Sequence, residues 1–139
     1  MGSLFLSSGK VIATVEGKTQ EQHISYGVAD MKIPIIVLVN GQTASAAEIL
    51  ASALQTHLKS PILGSQTYGK GSVQELFPLK NGGQIKITTA HWRTAGGDLL
   101  DGQGITPDVI ILPTPRDITE GLDGQKEQAL KVIQEKVKK

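Results

Sequence analysis

The chain has 139 residues, 14 of them Lys or Arg against 13 Asp or Glu, for a net charge of +1. One domain fits that length, the even charge leaves no basic footprint for nucleic acid, and no apolar run reaches the ~18 residues of a membrane span. Cysteine is absent, excluding disulfides and thiolate metal sites, while 16 glycines and only 4% aromatics suggest a turn-rich α/β protein packed with aliphatic side chains.

Met1-Gly2-Ser3 reads as a vector remnant, with the native start upstream. Gly9 to Glu16 mixes β-branched and polar residues behind a turn residue, which predicts a short strand. Gly17 to Met31 is polar and aperiodic and reads as a loop. Ile33 to Val39 (IPIIVLV) is the most apolar run, and its lack of alternation predicts a strand covered on both faces. Asn40 to Thr43 breaks it, and Ile49, Leu50, Ala53, Leu54 and Leu58 then recur at helical spacing over Ala46 to Leu58. Pro61 ends the helix before a short strand, Ile62-Leu63-Gly64. Val73 to Phe77 and Gln84 to His91 read as a hairpin turning over Lys80 to Gly83. Asp108 to Leu112 predicts another buried strand, and Gln125 to Lys139 an amphipathic helix with Leu130, Ile133 and Val137 on one face. Strand, helix and strand in that order imply an α/β architecture with an antiparallel element attached.

Two segments carry candidate chemistry. In Thr43 to Glu48 (TASAAE), Ser45 and Glu48 fit the S-x-x-E capping box. Ser45 equally fits a nucleophile at a helix N-terminus, where free N–H groups and the positive dipole end hold an oxyanion. The small neighbours Ala44, Ala46 and Ala47 admit a substrate backbone. Of the histidines, His57 lies twelve residues along the same helix, about 18 Å from Ser45 at 1.5 Å rise per residue. His91, with Asp98 and Asp101 downstream, leaves a Ser-His-Asp set open, although G-x-S-x-G is absent. His23 reads as an ordinary surface residue. No pair has ligand spacing, so neither a metal nor a cofactor is expected.

The second segment is Gly64 to Gln74 (GSQTYGKGSVQ). Gly64, Gly69 and Lys70 spell G-x-x-x-x-G-K, but Gly71 stands where a P-loop needs Ser or Thr, and a strand follows where it needs a helix. What remains is a lysine between two glycines. It reads as a solvated loop residue or, if an apolar pocket strips its proton, as a general base.

Together, T-A-S-A-A-E-I, G-x-x-T-Y-G-K-G-S-V-Q, I-K-I-T-T-A and G-x-G-I-T-P-D-V, in that order over about Phe5 to Ile111, resemble the S41 family of carboxyl-terminal processing serine peptidases. The resemblance implies Ser45 as nucleophile and Lys70, 25 residues further on (70 − 45), as base. It implies Gln74 as the group orienting the lysine, which parity on an extended segment would allow. The Ala46 N–H would serve as one oxyanion donor. Thr43 and Ala47 stand where the family often has serines, and Tyr68 where it often has Phe. The family's PDZ domain and its glycine-bearing oxyanion strand precede the matching region and are absent, so residues 4–139 read as the C-terminal part of a catalytic domain.

The resemblance further implies a ClpP/crotonase-like peptidase core, incomplete here, with a central mostly parallel sheet, helices and an antiparallel hairpin. It implies endopeptidase action near protein C-termini through an acyl-enzyme, in periplasm, cell envelope or thylakoid lumen. The alternative is a catalytically silent relative serving as a binding or scaffold module. A base that works near neutrality requires Lys70 to be buried, since lysine starts near ~10.4. The open edge of the Ile33–Val39 strand is expected to drive self-association.

Overall fold

The computed structural model describes residues 1–28 and 32–137. Its strands form two sheets. The antiparallel one, in order β2-β1-β6-β5, contains β1 (Val11–Glu16), β2 (Gln20–Ile24), β5 (Ser72–Pro78) and β6 (Gln84–Arg93). The parallel one, in order β3-β4-β7, contains β3 (Val37–Val39), β4 (Ile62–Gly64) and β7 (Val109–Ile110). Helix α1 (Ala46–Leu58) links β3 to β4, and α2 (Pro115–Glu120) and α3 (Gly124–Val137) follow β7. The expected α/β class, parallel sheet and β5–β6 hairpin are present, but the hairpin is half of a four-stranded sheet.

That larger sheet exists because β2 occupies part of the segment read as a loop. Gln20–Ile24 is exposed throughout and polar except for Ile24, so it shows no burial alternation; the backbone ladder to β1, from Glu16↔Gln20 to Val11↔Ile24, supplies its order. Of Gly17 to Met31, residues 29–31 lie outside the described residues.

The apolar run 33–39 is corrected as well. Only Val37–Val39 is strand, and β3 pairs only with β4 among the described residues. Val39 enters the core at 3% exposure, whereas Leu38 stands 42% exposed on the other face. The strand is therefore covered on one face, because period-2 alternation sends Leu38 away from the core. β7 is likewise shorter than expected and exposed, since it is the opposite edge of a three-stranded sheet.

The core joins Val39, Ala51 of α1, Ile62, Leu100 and Ile105, with Val37, Ile49 and Trp92 packed against it. Helix α1 begins and ends where the periodicity predicts, and Lys59, in the left-handed conformation, stops it before Pro61. In α3 the expected apolar face is corrected. Leu130 and Val137 are exposed, Ala129 is buried, and Gln125 reaches the sheet, its Nε2 donating to Val39 O and Leu63 O at 2.9 Å each. The expected helix also took in residues 138 and 139, which lie outside the described residues. No helix among the described residues is long and apolar enough to cross a membrane.

Candidate active site

Ser45 sits at the N-cap of α1, directly after the turn that closes β3, with φ 55° and ψ −119°. A non-glycine residue held there costs of order 1–3 kcal/mol and persists only where its surroundings enforce it. A strained strand-to-helix turn is also the device that lifts a nucleophilic serine clear of a sheet. The enforcing contacts are visible. Asn40 Oδ1 accepts the Gln42 N–H at 2.9 Å, Thr43 Oγ1 accepts the Asn40 N–H at 3.0 Å, and the Ser45 N–H donates to Glu48 Oε2 at 2.7 Å. The reverse half of the capping box is loose. The Ser45 side chain faces the Glu48 amide but makes no hydrogen bond of good geometry with it. Ala46 occupies the first helical position, where an N–H has no intrahelical acceptor, whereas Ala47 N–H is spent on Ala44 O at 3.2 Å.

Glu48 is fully buried, and its carboxylate binds both candidate segments. Oε2 receives the Ser45 and Lys70 N–H groups at 2.7 and 3.0 Å; Oε1 receives the Gly69 N–H at 2.7 Å and the Thr67 hydroxyl at 2.5 Å. Thr67 Oγ1 in turn accepts the Ile105 N–H at 2.7 Å, and Tyr68 N–H donates to Thr43 O at 3.0 Å. Burying a carboxylate is costly unless its lone pairs are filled, and four donors fill them. In sequence Glu48 showed only its capping role and Thr67 showed nothing.

The backbone around Lys70 is pinned on every side. Gly69 O accepts the Gly102 N–H at 2.9 Å, Gly71 N–H donates to Asp101 Oδ1 at 3.1 Å, and Gly71 O accepts the Trp92 N–H at 2.7 Å. Both flanking glycines are required. Gly69 has φ +80°, and a side chain at Gly71 would collide with the Asp101 backbone. The Lys70 side chain is exposed, so this chain does not supply the burial that the sequence reading asked for. It lines an open cleft of about 690 Å³ with Ala44, Tyr68, Gln74, Lys86 and Asp101.

Gln74 borders the same cleft, yet the parity that would align it with Lys70 does not apply. Lys70 precedes the strand, and a bulge lies between Val73 and Gln74, breaking the two-residue period. The Gln74 amide reaches Thr88 Oγ1 at 3.4 Å. Among the described residues, no hydrogen bond joins the side chains of Ser45, Lys70 and Gln74 to one another.

Of the histidines, His57 Nε2 contacts Val11 O at 2.7 Å, and His23 stacks near Trp92 with centroids 5.1 Å apart. His91 Nδ1 lies 3.4 Å from Asp101 Oδ2 but is not hydrogen-bonded, and no described contact joins His91 to Ser45. No group of three or more potential ligands that could hold a metal ion occurs among the described residues.

Residues 1–111 match the model of peptidase family S41. The chain is 43% identical over 112 residues to a carboxy-terminal-processing protease of Bartonella bacilliformis, covering 77% of this chain and 25% of that protein. It is 37% identical over 134 residues to a carboxyl-terminal-processing protease of Synechocystis, covering 94% of this chain and 31% of that one. Among solved structures, a photosystem II D1 C-terminal processing protease superposes with a TM-score of 0.73 at 30% identity, over 87% of this chain and 32% of the other. The chain thus spans a quarter to a third of the relatives it matches. A strained serine at a helix N-terminus, a glycine-flanked lysine tied to it by one buried carboxylate, and a family match over most of the sequence agree: the chain belongs to peptidase family S41.

Proposed function

We propose that this region carries the nucleophile and the base of a serine endopeptidase acting near protein C-termini. The observation that carries the reading is the convergence of the Ser45 and Lys70 amides on Glu48 Oε2, which makes the two segments one unit. Ser45 Oγ attacks the scissile carbonyl and passes its proton to neutral Lys70, and the Ala46 N–H holds the oxyanion; the C–N bond breaks as Lys70 returns the proton to the leaving amine, and water then hydrolyses the acyl-enzyme. Gln74, which lines the same cleft as Lys70, is the group that orients its amine in this reading. The substrates are C-terminal segments of proteins, and the compartment lies outside the cytoplasm, as the resemblance implies.

The test is peptide cleavage by the full-length enzyme. Ser45→Ala and Lys70→Ala each abolish turnover, and the double variant is no worse because the pair acts as a unit. Full turnover in Lys70→Ala would overturn the dyad and return His91 to consideration. The silent-module alternative draws on the exposure of Lys70. It predicts that a fluorophosphonate leaves Ser45 unlabelled.

Residues 4–139 are read as the C-terminal part of the catalytic domain. We further propose that the 139-residue chain on its own self-associates through the open edge of β3, beside the exposed Leu38. Sedimentation velocity should show oligomers that Leu38→Lys reduces; a monomer at all concentrations would contradict this.

A further inference from the structure

We propose that Asp101 is a positioning residue for Lys70, acting through Gly71, with His91 as the neighbour of its second oxygen. The inference rests on the reading of Lys70 as the base. Asp101 divides its two oxygens. Oδ1 accepts the N–H of Gly71, the residue next to Lys70, at 3.1 Å, while Oδ2 lies 3.4 Å from His91 Nδ1. Gly71 is buried, so without that acceptor its N–H would face no partner.

The other restraints on the loop are unequal to replacing it. Glu48 fixes the N–H of Lys70, and Gly102 and Trp92 hold the carbonyls on either side. Only Asp101 fixes the N–H on the C-terminal side of the lysine, and hence the peptide plane that aims its Cα–Cβ bond. Asp101 also lines the cleft that holds Lys70 and Lys86.

His91 stands on β6, an inner strand of its sheet. It stands opposite Ser72 of β5 and Glu16 of β1, and Glu16 is engaged by Arg93 at 2.6 Å. Asp101 is therefore the acid left to His91, whose buried Nδ1 makes no hydrogen bond.

The experiment combines kinetics with the Gly71 amide resonance in the full-length enzyme. Asp101→Ala lowers kcat about tenfold, leaves KM within about twofold, and removes the exchange protection of the Gly71 N–H. Asp101→Asn, which keeps an acceptor oxygen, restores both. His91→Phe shifts the Gly71 amide in the same direction as Asp101→Ala, by less. An unchanged kcat in Asp101→Ala, a Gly71 amide as protected as before, or failure of Asn to rescue would overturn the proposal. Failure of the dyad reading is distinguishable, since it shows as activity surviving in Lys70→Ala whatever the Gly71 amide does.

Discussion

The backbone N–H groups of Ser45 and Lys70 meet at one oxygen atom, Glu48 Oε2, at 2.7 and 3.0 Å. A fully buried acid thereby sets the distance between a helix start and a loop that the sequence separates by one helix and one strand. Glu48→Gln offers a single oxygen to four donors and turns an NH2 toward some of them. An orphaned buried donor costs about 1–3 kcal/mol, so Glu48→Gln is expected to lose about 2–4 kcal/mol in urea unfolding and most of the peptidase activity. Unchanged stability would show that the carboxylate is not the pivot.

Ser45 separates two roles by backbone strain. If the hydroxyl were chiefly a helix cap, Ser45→Ala and Ser45→Gly would both be neutral or destabilising, alanine by about 1 kcal/mol. With φ 55° and a loose cap bond, glycine instead relieves strain and is expected to stabilise the chain by about 1 kcal/mol. Thermal unfolding of the two variants checks this, and a Ser45→Gly protein less stable than wild type contradicts it.

What the sequence showed and what it hid follow one physical line. Helix α1 was legible to the residue because its apolar spacing and its ends are local. Ser45 and Lys70 stand out in sequence because the residue types and their order carry the resemblance, and the structure brings their amides to one carboxylate. Strand β2 was not legible, because an exposed QEQHI takes its order from β1. The short helix Pro115–Glu120 lies outside the predicted elements, although Thr114, Pro115, Asp117 and Gly121 carry its start and stop signals. The roles of Glu48, Thr67 and Asp101 depend on loops meeting in space, which no local pattern encodes. The bulge at Val73/Gln74 defeated a parity argument that assumes an unbroken strand.

Gln125 holds α3 to the parallel sheet through a single amide group shared by Val39 O and Leu63 O. Gln125→Ala removes a donor from both carbonyls, Val39 O keeping the Ser65 N–H at 3.2 Å, and is expected to cost about 1 kcal/mol. Hydrogen exchange should rise along α3 before the rest of the fold opens. Exchange unchanged in α3 would mean that Ala129 and its neighbours suffice to dock the helix.

The cap of α2 gives a pH dependence of known sign. The Thr114 backbone N–H, and then its hydroxyl, hold the Asp117 carboxyl below its ordinary value of 3.8, with Arg116 adding to the effect. A group depressed in the folded state contributes stability that is present above the unfolded value and lost as pH falls through the folded one. An NMR titration should therefore find Asp117 below 3.8, and Thr114→Ala should move it upward. A midpoint at or above 3.8 in the wild type would contradict the cap.

The most direct test is the rate at which a fluorophosphonate labels the full-length enzyme, read by mass spectrometry of the Ser45 peptide as a function of pH. A base must be neutral to take the serine proton, so the rate is expected to rise with pH. The adduct is expected on Ser45, and Lys70→Ala is expected to slow its formation by at least ~10²-fold, at the low end of what a positioned base contributes. Labelling at any other residue, or labelling of Ser45 at the wild-type rate in Lys70→Ala, would contradict the account.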